Sequence, residues 1–239
     1  MKRLAKWIKI IEINLNKTLA YKLNFILLIL GPPIVFYFIK YNLWQTIFQS
    51  SSSDIIQGYT FKTMINYHSW VLILSLLSQG HTAMNLSEEI RLGKISSYLI
   101  YPIEFWEFHF ASFLSFTLLQ IVVVTATFLF FWQMNIIILP HYLDILYVFF
   151  YSLLVSLFWF SIQFFLGLFT FWIEESWILR VLFQVISSFL SGAVMPLELF
   201  PSNIVKALSY SPFPYMTYYP IKYIQSQSVD LSRGVLMLT

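Results

Sequence analysis

The chain has 239 residues, of which 59% are hydrophobic and only 10% charged, with a formal net charge of +3 and a mean hydropathy of +0.73. Soluble domains carry about one quarter charged residues, so this composition excludes them and points to a polytopic membrane protein. Cysteine is absent, which excludes disulfides and thiol chemistry.

The apolar runs are continuous rather than alternating, which argues for helices against a membrane β-barrel. The length admits roughly five or six spans of some twenty residues. No linker and no long internal repeat interrupts it, so residues 1–239 read as a single all-α membrane domain. The expected layout is an N-terminal amphipathic interfacial helix, five complete transmembrane helices and the possible start of a sixth.

Residues 1–22 carry Lys2, Arg3, Lys6, Lys9, Lys17 and Lys22 against Glu12. At helical spacing Leu4, Trp7, Ile8, Ile11, Leu15 and Leu19 share one arc and Lys2, Lys6, Lys9 and Lys17 the opposite one, with Ile10 and Ile13 spoiling the polar face. Such a helix lies in the headgroup plane with its lysines toward anionic lipid. No cleavage site follows the first apolar run, which excludes a signal peptide. The excess of Lys and Arg places this end in the cytoplasm.

Leu23 to Trp44 reads as the first span, bent by Gly31-Pro32-Pro33, and Gln45 to Thr60 with its serine run as an external loop. Phe61 to Met84 is the second span. It carries His68, Gln79 and His81, polar groups that belong against protein or water. The charged stretch Asn85 to Lys94 follows. Asn85 with Glu88 fits a capping box, so a short cytoplasmic helix is expected from Asn85 to about Gly93.

Glu104 to Gln133 is the third span. Glu104, Glu107 and His109 lie at its cytoplasmic mouth, where the interface can solvate them. The fourth, Ile145 to Phe171, is dense in aromatics that serve packing or lipid contact. The fifth begins at the corner containing Glu174 and Glu175, with Arg180 placed to snorkel or to pair with one of those acids. It is expected to run about twenty residues to Pro196. Ser187/Ser191 and Ser188/Gly192 would then form small-xxx-small pairs for close packing against another helix. Residues 196–230 read as an external loop with short interfacial segments, because Pro196, Pro201 and the later prolines cannot continue a span.

Several chemistries lack their motifs. There is no GxxxxGK[ST] loop to cradle ATP phosphates, no HExxH and no GxSxG, and His68, His81, His109 and His141 are not at metal-ligand spacing. No catalytic, cofactor or metal residue is therefore assigned.

One stretch carries a resemblance. Phe171-Trp172 with Glu174-Glu175-Ser176-Trp177, then Phe189-Leu190-Ser191-Gly192-Ala193, Pro196-Leu197-Glu198-Leu199-Phe200-Pro201, and Pro212-Phe213 through Tyr219-Pro220 resemble the C-terminal signature of ABC-2 type transporter permeases. That resemblance implies the membrane subunit of an ATP-binding-cassette exporter in the bacterial cytoplasmic (inner) membrane. It would pair with a second permease chain, identical or homologous, among membrane lipids. A separate cytoplasmic ATPase would hold ATP and magnesium, and no nucleic-acid partner is implied. It also implies that residues 85–104 form the coupling segment, with Glu88, Glu89, Ile90, Arg91, Gly93 and Lys94 as its contact residues. Ser187, Ser188, Ser191, Gly192 and Pro196 become packing or pathway residues, and Glu174, Glu175 and Arg180 the cytoplasmic corner. The family continues with a last span, of which Gly234 to Thr239 would be the beginning. The competing readings are an intramembrane enzyme for lipid or isoprenoid substrates and a noncatalytic membrane scaffold.

Overall fold

The computed structural model describes residues 2–51, 53–78, 82–100, 104–173, 176–226 and 229–239, with backbone alone at 2–4, 82–85, 99 and 226. The expectations placed on Gln79, His81, Glu174 and Glu175 lie outside the described residues. The described chain is helical, and its only strand-like feature is an isolated bridge between Ile56 and Tyr59. The helices are α1 (Lys2–Ala20), α2 (Lys22–Ser50), α3 (Phe61–Ser78), α4 (Thr82–Arg91), α5 (Phe105–Gln133), α6 (Tyr142–Leu168), α7 (Trp177–Leu190), α8 (Ser202–Leu208), α9 (Phe213–Met216), α10 (Tyr218–Ser226) and α11 (Ser232–Leu238). Three of these tracts are long and apolar enough to cross a membrane: Lys22–Ser50, Phe105–Gln133 and Tyr142–Phe171, the last including a short 3-10 turn.

Helix α3 sits at the centre. Its residues Met64 to Leu74, with Leu76 and Leu77, are buried against α2, α5, α6 and α10. A helix surrounded by protein can carry polar groups that lipid would reject, provided each finds a partner. His68 is 2% exposed and accepts the Trp44 indole N–H at 2.8 Å through Nε2, while Asn66 Oδ1 accepts the Ile138 N–H at 3.1 Å. Thr60 and Thr63 cap the start of α3 reciprocally, each hydroxyl accepting the other's backbone N–H.

Around this centre α2 runs unbroken through Pro32 and Pro33 to Ser50, about 43 Å at 1.5 Å per residue. The following loop is correspondingly shorter than the sequence suggests. Phe25, Ile29, Pro33 and Trp44 of α2 are buried, Leu30, Tyr37, Ile47 and Phe48 pack half-buried against the core, and most of the remaining residues are exposed. Helix α1 packs along α5, with Trp7 set edge-on to Trp106 and Phe110. Its orientation corrects the predicted arc. Ile10, expected to disturb the polar face, is the buried residue, whereas Ile8 and Leu19 are exposed. The groove on α5 sets the rotation, and hydropathy alone does not see that groove.

The helix expected for the fifth span is shorter than the sequence suggests. Helix α7 ends at Leu190, so its 14 residues reach only about 21 Å, short of a hydrocarbon core of about 30 Å. The chain then turns at Gly192, φ 78°. Tyr67 Oη donates to the Gly192 carbonyl at 2.7 Å, Lys40 Nζ donates to the Ala193 carbonyl, and the Tyr218 N–H donates to the Ser191 carbonyl at 3.0 Å. Carbonyls that a longer helix would have satisfied are thus capped from three other parts of the molecule. Ser191 and Gly192 lie past the helix, so neither small-xxx-small pair exists as a helix-packing face. Glycine is required at 192 by its backbone: a Cβ there would also sit 3.0 Å from Tyr218 Cβ and 3.1 Å from Tyr67 Oη. Most of α7 is exposed, including Trp177, Ile178, Val181, Leu182, Val185, Ile186 and Phe189, and Ser187 alone is buried.

Candidate functional site

Helix α4 and the 3-10 helix at Lys94–Leu99 form a charged corner at one end of the bundle. Gly93 joins them at φ 67°, with its N–H donating to the Ile90 carbonyl at 3.0 Å. This left-handed glycine ends the helix where the sequence places the end. The start differs. Asn85 lies within α4, which runs from Thr82, so Asn85 is not its N-cap.

The inward face of α4 is fixed by one apolar knob and one polar cluster. Leu86 is fully buried against α6, and an atom added at Gly167 in the Cβ position would sit 2.7 Å from Leu86 Cδ2. Only glycine admits so close a crossing. Beside it, Thr170 Oγ1 lies 2.9 Å from Ser87 Oγ and 2.8 Å from Ser176 Oγ, and the two serine hydroxyls hydrogen-bond to each other. Each hydroxyl has one proton to donate and lone pairs to accept, so the three close a ring. That ring ties α4 to the segment from which α7 begins.

The predicted contact residues divide between two faces. Glu88, Arg91, Gly93 and Lys94 are exposed, and Ile90 is half-buried. Glu89 turns inward: Tyr98 Oη donates to its Oε2 at 2.8 Å, and His109 Nε2 lies 3.5 Å from that oxygen. Tyr98 and His109 in turn pack among Phe105, Phe108 and Phe164. This corrects the expectation of solvated groups at the start of α5. Glu104 is exposed, but Glu107 and His109 are 6% and 4% exposed, and His109 is surrounded by the rings of Tyr98, Phe105, Phe108 and Phe164. Arg180 is half-buried on the first turns of α7, and its Nη1 has no partner among the described residues. Of the other predicted residues, Ser187 and Pro196 are buried and Ser188 is half-buried.

Sequence reasoning missed Gly167 and Thr170 altogether. It also missed Lys40, whose charge within an apolar run was the available signal. A second polar cluster escaped it at the other end of the bundle. There Lys222 Nζ lies 2.5 Å from Glu198 Oε1, and Tyr59 Oη donates to Glu198 Oε2 at 3.2 Å. Burial first, and then the charge of Glu198, push the phenols of Tyr59 and Tyr218 well above their ordinary pKa.

Long apolar helices around a buried central one, with a charged helical corner at one end, define an integral membrane protein of the helical-bundle class. Residues 34–229 match the model of the ABC-2 family transporter proteins, and the chain belongs to that family. No curated protein matches it.

Proposed function

We propose that this chain is the permease subunit of an ATP-binding-cassette exporter in a bacterial inner membrane. Two permease chains form the pathway, and a separate cytoplasmic ATPase, carrying ATP and magnesium, docks against α4. The N-terminus and α4 lie in the cytoplasm. Helix α3, and α7 together with the chain that follows it, complete five crossings.

The observation that carries the reading, beside the family, is how α4 is mounted. Its inner face is locked to α6 by Leu86 on Gly167 and to the origin of α7 by the Ser87, Thr170 and Ser176 ring, while Glu88 and Arg91 are exposed. A push on the exposed side therefore reaches two helices through rigid contacts, which is what a two-state pathway biased by ATP requires. The reading of an intramembrane enzyme draws nothing from the family, whose members are membrane components of transporters.

Purification of the tagged chain from its native membrane, followed by mass spectrometry of what accompanies it, tests the proposal. The expected companion is a polypeptide with a P-loop ATPase sequence. Recovery of intact complexes that contain none would refute it.

A further inference from the structure

At the end of the bundle away from α4, four separate segments line a half-open cavity of about 550 Å³, within the range of pockets that hold small-molecule ligands. One side is the tight turn joining Ile56 to Tyr59, in which Gln57 and Gly58 both have positive φ, 48° and 84°. That pair of conformations makes a type I′ turn, unusual for glutamine at its first central position. The remaining walls come from the start of α3, residues 138–140, Glu198 and α10.

The lining is polar but electrically balanced. Its charged members, Glu198 and Lys222, are paired with each other at 2.5 Å, and Lys222 also lies 4.7 Å over the Tyr59 ring. An ionic ligand would have to compete with that pair and would bring uncompensated charge into a partly buried site. What remains is three carboxamides, Gln57, Asn66 and Gln225, since the Thr63 hydroxyl already accepts the Thr60 N–H and donates to the Thr60 carbonyl. Asn66 already uses its oxygen to accept the Ile138 N–H, which leaves its amide protons as what it offers. Gln225 Nε2 is buried away from the cavity and has no acceptor among the described residues, so Gln225 lines the cavity through the rest of its side chain. Carboxamides present donors and acceptors in one plane, matched by neighbouring hydroxyls that each donate and accept. Ile138 and Ile224 supply apolar wall for C–H faces.

From this combination we infer that the cavity is a binding site for a neutral polyhydroxylated ligand, a short oligosaccharide or the sugar headgroup of a glycolipid. The site stands apart from the transport reading, since it needs neither ATPase nor second chain.

The test uses the full chain in phospholipid nanodiscs and saturation-transfer NMR. One arm adds free maltose or N,N′-diacetylchitobiose, and the other uses discs doped with a diglucosyl diacylglycerol. Saturable binding is expected in at least one arm, and which arm responds separates a free sugar from a lipid-borne one. Gln57→Ala and Gln225→Ala should each weaken it about 10-fold, as the loss of one neutral hydrogen bond predicts. Gln225→Ala should leave thermal stability unchanged or raised, because the donor it removes has no partner. Absence of saturable binding in both arms would overturn the inference, as would binding that neither substitution weakens. Preference for inorganic phosphate or phosphocholine over the sugars would overturn it equally.

Discussion

Placing a methyl group at Gly167 tests the α4–α6 crossing directly. In an ordinary helix interior Gly→Ala stabilises by about 1 kcal/mol. Here the new Cβ would meet Leu86 Cδ2 at 2.7 Å and Leu86 Cβ and Cγ at 3.0 Å each, and Leu86 is fully buried. Overpacking of this kind costs about 1–3 kcal/mol, so the net expectation for Gly167→Ala is a loss of about 1 kcal/mol. Leu86→Ala alone should cost about 2–5 kcal/mol through the cavity it leaves. In the double variant the methyl at 167 occupies part of that cavity, so the combined cost should fall short of the sum by at least about 1 kcal/mol. Thermal unfolding in detergent micelles reads these differences, at about 2–4 °C per kcal/mol for a chain of this size. A raised midpoint for Gly167→Ala, or strict additivity in the double variant, would refute the close crossing. The mounting of α4 on which the coupling proposal leans would fall with it.

Glu88→Lys and Ile90→Asp should release the ATPase or uncouple its hydrolysis from transport while leaving membrane insertion normal; wild-type assembly and transport in both would sink the coupling assignment. Glu89→Lys is a different perturbation, because Glu89 holds Tyr98, and it should lower thermal stability as well. Single cysteines at exposed Ser53 and Ser96 in this cysteine-free chain should report topology: an impermeant thiol reagent applied to intact cells labels Ser53→Cys and spares Ser96→Cys, and the reverse pattern would invert the orientation. Tyr59 and Tyr218 should stay protonated when ordinary phenols, near pH 10, ionise. Their raised pKa contributes stability that is fully present below about pH 10 and is lost as pH rises beyond it. Phenolate absorbance measured against pH should show a late-titrating group of tyrosines that includes these two, and Glu198→Gln should bring part of that late titration earlier.

The parts that hydropathy and local chemistry control were legible in the sequence. Helices α5 and α6 fall within a few residues of their expected spans because twenty or more apolar residues in lipid have no other way to satisfy their backbone. The end of α4 at Gly93 was legible too, since a left-handed glycine acts within one turn. The stopping point of α7 was not. It is set by Tyr67, Lys40 and Tyr218, which reach the turn from elsewhere in the fold, while the local sequence Ser187 to Ala193 is equally compatible with a longer helix. The same holds for α1, whose buried Ile10 answers to a groove on α5, and for Glu89 and Glu88, adjacent acids sent to opposite faces by Tyr98 and His109. The balanced pair Glu198 and Lys222 is likewise a product of packing. Short-range pattern determines which segments leave water, but which side chains meet is decided by contacts between residues far apart in the chain, and no local pattern encodes those.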